Sequence, residues 1–186
     1  MSEPNQPVAT ITMDDGGVIE LALYPQHAPL TVSNFAALAN DGFFDGQSFH
    51  RCVEGFVIQG GSPDDTCDGS CGFTIPGEFR ANGVDNPLTH TRGAISMARD
   101  DAPDSAGCQF FIVHQDALRL DGKYAAFGQV IRGMYVVDRI AGTPTHDPDN
   151  TPDVRQGIKS VSVELRGAAL PEPVRLPDGT FTGVTS

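Results

Sequence analysis

The stretch Ser48–Gly61, SFHRCVEGFVIQGG, constrains the chain most. Two runs of strand-forming residues, Ser48–Val53 and Phe56–Gly60, flank Glu54-Gly55, and a short Gly-containing connection of this kind joins antiparallel strands. Period-two alternation puts Phe49, Arg51 and Val53 on one face of the first run. In the second, Phe56, Ile58 and Gly60 alternate with Val57 and Gln59. One small sheet thus gathers a guanidinium, an amide and large apolar side chains. On its own, Arg51 is either a solvated ion-pair partner or a fixed donor aimed at a bound carbonyl, and the usual exposure of Arg favours the first.

The rest of the chain reads as β structure around this hairpin. Val8–Met13 and Val18–Leu23 flank the turn sequence Asp14-Asp15-Gly16-Gly17 and predict another hairpin. A helix follows, with Pro29 and Thr31 at its start, an apolar stripe of Val32, Phe35, Ala36 and Ala39, and Asp41-Gly42 as its stop. Strands are predicted over Gly93–Ala98, Gln109–His114, Ala125–Ile131 and Ile158–Leu165, and a second helix over Gly133–Ile140. Eight strands and two helices suit an all-β fold, a closed eight-stranded antiparallel barrel filled by side chains and capped by the helices. Ser62–Asn86 reads as a long Gly-, Asp- and Pro-rich loop tethered by Phe73, Ile75 and Phe79, and Arg99–Gly107 as an acidic loop. The expected organisation is a frayed segment 1–7, one domain over 8–166 and an appended tail over 167–186.

Charge and cysteines narrow the function. A net charge of −12, with only Lys123 and Lys159 beside ten Arg, argues against nucleic acid, which needs a basic face. No apolar run approaches the roughly 20 residues that span a bilayer. The start, MSEPNQPVAT, lacks the basic and apolar regions of a secretory signal, so a cytoplasmic location is the default expectation. Cys52 and Cys108 read as small buried apolar residues. Cys67 and Cys71, in CDGSC, are one residue further apart than a redox CxxC, and no second pair completes a zinc site. Their spacing is coincidence or marks a reversible thiol pair rather than a metal site.

The segment FHRCVEGFVIQGG resembles a signature of the cyclophilins, the prolyl cis–trans isomerases that cyclosporin inhibits. Ser96-Met97-Ala98 with Gly107-Cys108-Gln109-Phe110-Phe111-Ile112 resembles their second signature, and Leu120-Asp121-Gly122-Lys123-Tyr124 with Phe127-Gly128 a third matching segment. The likeness runs from about Val8 to Leu165 and is closer to the bacterial cytoplasmic branch. It implies the same capped barrel and an enzyme that speeds rotation about X–Pro bonds in peptides and in unfolded or folding proteins. Arg51 is then the catalytic donor, and Phe56, Val57, Phe111, Leu120 and Tyr124 line a proline pocket. Gln59 fixes Arg51 or the peptide, Gln109 bonds the peptide backbone, Ala98 lies beneath the residue before proline, and the backbone of Arg99 offers hydrogen bonds. His50 is structural, and the mechanism calls for no cofactor or metal. A monomer is expected, and a chaperone that merely holds proline segments is the alternative reading.

Three features depart from the family pattern. The Arg99–Gly107 loop is one residue longer than the common form, Val57 stands where Met is frequent, and Arg119 stands where cyclosporin-sensitive members carry Trp. The last predicts weakened cyclosporin binding.

Overall fold

In the computed structural model, which describes residues 5–177, β1 (Val8–Met13) and β2 (Val18–Leu23) form the first expected hairpin, with Ile11 opposite Ile19. Helix α1 (Pro29–Asn40) begins on the proline, whose missing N–H is no loss in a first turn. β3 (Arg51–Val53) and β4 (Val57–Gly60) form the second hairpin. A two-residue strand, β5 (Phe73–Thr74), interrupts the long loop; β6 (Ala94–Met97), β7 (Phe110–Val113) and β8 (Ala126–Arg132) follow, then α2 (Met134–Ala141). The short β9 (Thr145–His146) and β10 (Thr151–Pro152) pair with each other ahead of β11 (Ile158–Glu164), and β12 (Leu176–Pro177) pairs with β5.

Eight of these strands make one curled antiparallel sheet in the order β11-β1-β2-β8-β6-β7-β4-β3. Its edges meet through the residues just ahead of β3 and β11 rather than through a full ladder. Phe49 N–H donates to Gln156 O at 3.0 Å, Ile158 N–H to Gln47 O at 2.7 Å, and Ser48 bridges Gly157. The interior is aromatic: Phe35 from α1, Phe44 and Phe49 each meet Phe110 edge-on, at centroid distances of 5.4, 5.4 and 6.0 Å. Val136, Val137 and Ile140 of α2, all wholly buried, close the core on another side.

Two face assignments made by simple alternation fail. Phe49 is buried in the barrel core while Arg51 points the other way, because the ladder starts only at Arg51. Phe56 stands in the turn before β4 and packs with Val57 outside the barrel, whereas Ile58 points inward. Period two holds inside a ladder and not across the turn that feeds it.

The chain ends are tied down further than their composition predicts. Pro7 O accepts from Leu23 N–H at 2.9 Å and the Gln6 amide donates to Leu23 O, so within the described residues the start is not frayed; positions 1–4 lie outside them. The tail docks as well: Leu170 packs on the core, Ser33 Oγ donates to Pro171 O at 2.5 Å, and Leu176 pairs with Thr74; positions 178–186 lie outside the described residues. As expected, Ile75 and Phe79, 1% and 2% exposed, tether the long loop.

That loop also caps α1. Glu78, 4% exposed, accepts from Thr31 N–H and Thr31 Oγ at 2.6 Å each and from Leu30 N–H at 3.2 Å. A carboxylate there satisfies orphan N–H groups and complements the helix dipole. Glu78→Ala therefore costs about 1–3 kcal/mol by leaving those donors unpaired. Urea unfolding measures the loss, and Glu78→Gln restores part of it.

Candidate active site

One register row across the sheet carries three of the predicted residues, Arg51, Gln59 and Phe111. Arg51 on β3 lies opposite Gln59 on β4, Gln59 opposite Phe111 on β7, and Phe111 opposite Ser96 on β6. Residues directly opposite project to the same face. Their chain neighbours Cys52, Ile58, Ile112 and Ile95 fill the barrel, so this row faces outward. Arg51 Nη1 donates to Gln59 Oε1 at 3.2 Å, and Gln59 Nε2 to Gln109 Oε1 at 2.9 Å. Gln109 Nε2 in turn donates to Cys67 O and Gly69 O, each at 2.9 Å. The guanidinium is thus anchored through two amides to the loop over 62–72. At the other end of the hairpin, Gly55 N–H donates to His114 Nδ1 at 2.9 Å and fixes its turn.

Beside Arg51 opens a pocket of about 240 Å³, bounded by Arg51, Phe56, Val57, Gln59, Ala98, Arg99, Phe111, Leu120 and Tyr124. Val57 and Phe111 form its floor within a small outer apolar cluster with Ala94, Val113 and Ala117, while Phe56, Leu120 and Tyr124 stand as half-buried walls. Tyr124 meets Phe111 edge-on at 6.0 Å. All the predicted site residues except Gln109 border this pocket. Gln109 lines a larger adjoining cavity of about 430 Å³ that shares Gln59, Ala98 and Arg99 with the first. Both amide hydrogens of Gln109 are engaged with loop carbonyls, so it positions the loop and Gln59 rather than offering a free donor to a peptide. Of the two roles open to Gln59, the structure shows the grip on Arg51.

Arg99 contributes more than backbone. Its guanidinium lies between the rings of Phe79 and Tyr124, at 4.8 and 4.7 Å, and donates to Lys123 O and to the carbonyls of Asp100 and Asp101. It forms the partition between the two cavities.

A buried network beneath the pocket escaped the sequence reading. His90, wholly buried, stacks on Phe111 at 5.9 Å, with Nδ1 2.9 Å from Asp121 Oδ1 and Nε2 2.9 Å from Ser96 Oγ. The carboxylate can only accept, so Nδ1 carries the proton and Ser96 Oγ–H donates to Nε2. The order Ser–His–Asp is that of a hydrolase triad, but Ser96 is wholly buried and no substrate carbonyl reaches it. The network holds the back of Phe111 and Tyr124 in place. Asp121 and Ser96 sat inside recognised motifs; His90 lay ahead of both, outside any motif and with no spacing signal.

The thiols are quiet. Burial pushes the Cys52 pKa up to about 12 and raises that of Cys67, so neither is an activated thiolate. The thiol neighbour of Cys71 is Cys108, whose pKa that contact and burial raise, rather than Cys67. His50 is also buried, and desolvation lowers its pKa against the pull of Asp65, so it is neutral at pH 7. Among the described residues, no three His, Cys, Asp or Glu side chains group as metal ligands.

Comparison with known proteins decides what this geometry belongs to. The family described as cyclophilin type peptidyl-prolyl cis-trans isomerase/CLD matches residues 8–163. The chain is a cyclophilin. It is 48% identical over 122 residues to peptidyl-prolyl cis-trans isomerase B of Bacillus subtilis, covering 66% of this chain and 82% of that protein. It is 39% identical over 164 residues to a peptidyl-prolyl cis-trans isomerase of Acinetobacter baylyi, covering 81% of each. A Cryptosporidium parvum cyclophilin crystallised in the presence of the dipeptide Ala-Pro superposes with a TM-score of 0.75 at 28% identity, covering 84% of this chain and 98% of that one. A cyclophilin from Hirschia baltica, at 21% identity and a TM-score of 0.68 over 86% of this chain and 74% of that one, shares the fold. The family and its relatives make the function of this cyclophilin prolyl isomerisation.

The buried histidines tie this cyclophilin's stability to pH. Desolvation lowers the His90 and His50 pKa values below 6.5, so the unfolded chain binds protons that the folded one refuses. Their contribution is complete above about pH 6.5 and is lost as pH falls through the lowered folded values. The depressed carboxylates Asp15, Asp64, Asp138 and Asp147 start from 3.8 and act at lower pH. Melting curves from pH 7.5 to about 5 should show a falling Tm, with a shallower fall in His90→Asn. A pH-independent Tm in the native protein would contradict this account.

Proposed function

We propose that Arg51 is the group that makes this cleft a catalyst, with proline-containing peptides and folding chains as substrates. The observation that carries the reading is a guanidinium fixed by Gln59 at the rim of the 240 Å³ pocket, above Val57 and Phe111. Amide resonance sets a barrier of about 18–20 kcal/mol to rotation. As the bond twists, resonance is lost, the proline nitrogen becomes pyramidal and its lone pair becomes available. The pocket takes the pyrrolidine ring, which holds one side of the bond still. An Arg51 N–H then meets a lone pair that exists only in the twisted form, so the bond it makes lowers the barrier rather than merely tightening binding. Arg suits the task because it stays charged and does not surrender its proton.

The walls assist by withdrawing the amide from water, which favours the less polar twisted state. Arg51 also separates this reading from a holding chaperone, since grip alone needs no donor at the nitrogen. Exchange spectroscopy on a short X–Pro peptide tests the assignment. Arg51→Ala should lower kcat/KM about 10²–10³-fold while peptide affinity changes far less. Equal exchange rates for the two proteins would remove Arg51 from the mechanism.

Arg119 bears on drug recognition. Its guanidinium lies 4.4 Å above the Phe56 ring at the pocket wall, where Trp is expected in cyclosporin-sensitive relatives. Arg119→Trp should tighten cyclosporin binding in a fluorescence titration, and an unchanged Kd would show that this position does not set sensitivity.

A further inference from the structure

In a chain of net charge −12, the placement of the few cations is informative. Six arginines, Arg80, Arg92, Arg132, Arg139, Arg155 and Arg166, each have a carboxylate partner. The other six basic residues have no ion-pair partner among the described residues, and four of them, Arg51, Arg99, Arg119 and Lys123, stand about the proline pocket. Arg51 is held by an amide, Arg99 by three backbone carbonyls and two rings, and Arg119 by the Phe56 ring. Lys123, exposed, sits in the turn between Leu120 and Tyr124, its N–H bonded to Leu120 O at 3.0 Å. Neutral partners position these charges without cancelling them.

Two carboxylates of this face lie beyond the pocket. Asp68 and Asp100 line the larger cavity, beyond the partition made by Ala98 and Arg99. Asp121, at the Leu120 turn, keeps its charge while bonded to neutral His90, so a single carboxylate stands against the four cations there. The cleft is therefore polarised, cationic around the proline pocket and acidic beyond the partition.

We propose that this cyclophilin prefers X–Pro bonds with an anionic side chain, a carboxylate or a phosphate, next to the proline. The inference rests on the isomerase reading of the same cleft and adds the substrate class. An anion beside the proline reaches guanidinium donors at the pocket edge, with exposed Lys123 in the adjoining turn, and Arg is well shaped for both carboxylate and phosphate. The global field of the protein works in the opposite direction, since a net negative charge repels anions and attracts cations. A preference for acidic peptides thus has the sign that only the local ring can produce.

Matched peptides carrying Glu, Gln, Lys or phosphoserine on either flank of one Pro test it, with affinity from NMR shifts and turnover from exchange spectra. At low salt the Glu peptide should bind about fivefold tighter than the Gln peptide on at least one flank, and the Lys peptide more weakly than Gln, the size expected for two exposed charge contacts. The difference should shrink in about 1 M salt, where the screening length is about 3 Å. It should also shrink in the double variant Arg119→Gln, Lys123→Gln, scored as the Glu-to-Gln ratio. Phosphoserine binding more tightly than Glu would point to phosphorylated clients, and Glu equal or better to acidic ones. Equal affinities for Glu, Gln and Lys, or a preference for Lys, would overturn the proposal while leaving turnover of the neutral peptide as a separate result. A charge preference in affinity with no turnover on any peptide would instead support the substrate class and overturn the isomerase reading.

Discussion

The site depends on a register. Arg51, Gln59, Phe111 and Ser96 come from four strands, yet antiparallel pairing sets them in one row on the outside of the barrel. A one-residue slip of β4 against either neighbour would turn Gln59 into the core and bring Ile58 out. The aromatic packing inside the barrel opposes such a slip, because Ile58, Phe110 and Ile112 must stay buried. The apolar interior thereby holds the polar exterior in place, and the guanidinium inherits its position from residues it never touches.

An outward-facing row would ordinarily be wet. Here Phe111 is only 5% exposed because residues of the connections, His90 and Tyr124, lie against it. The loops are held by polar contacts, some of them buried, rather than by a second core. His90 joins Asp121 to Ser96, Glu78 joins the long loop to α1, and Gln109 joins the loop over 62–72 to Gln59. The His90 and Gln109 contacts fix the surroundings of the cleft to the barrel, so a donor meant for a half-twisted bond need not be reorganised when the substrate arrives.

Much of this was legible in the chain itself. Both hairpins, both helices, the eight barrel strands and the pocket residues follow from alternation, turn chemistry and the three motif segments. What escaped shares a cause: it depends on contacts between parts far apart in sequence. Strand alternation could not tell that Phe49 leaves the ladder before Arg51 or that Phe56 stands outside β4. The grip of Gln109 on Cys67 O and Gly69 O joins positions about forty apart, and His90 meets Asp121 across 31. Neither has a local pattern. Net charge is also silent on local placement, since −12 describes the molecule and not the rim of its pocket.

The tail shows how the cleft is built beyond the shared family core. The family match ends at residue 163, but the described chain runs on to 177 and returns to the long loop. There β12 pairs with Phe73 and Thr74, and Arg175 lies 4.3 Å above the Phe73 ring. Those two β5 residues also line the larger cavity. A two-residue strand on an irregular loop would otherwise present unpaired backbone groups and hold its shape poorly. Pairing with the tail supplies the missing partners from a segment that the barrel does not need for closure. The wall that shapes the neighbouring cavity therefore rests partly on a segment outside the eight-stranded sheet, while Gln59 and Gln109 tie that cavity to the register row that carries Arg51.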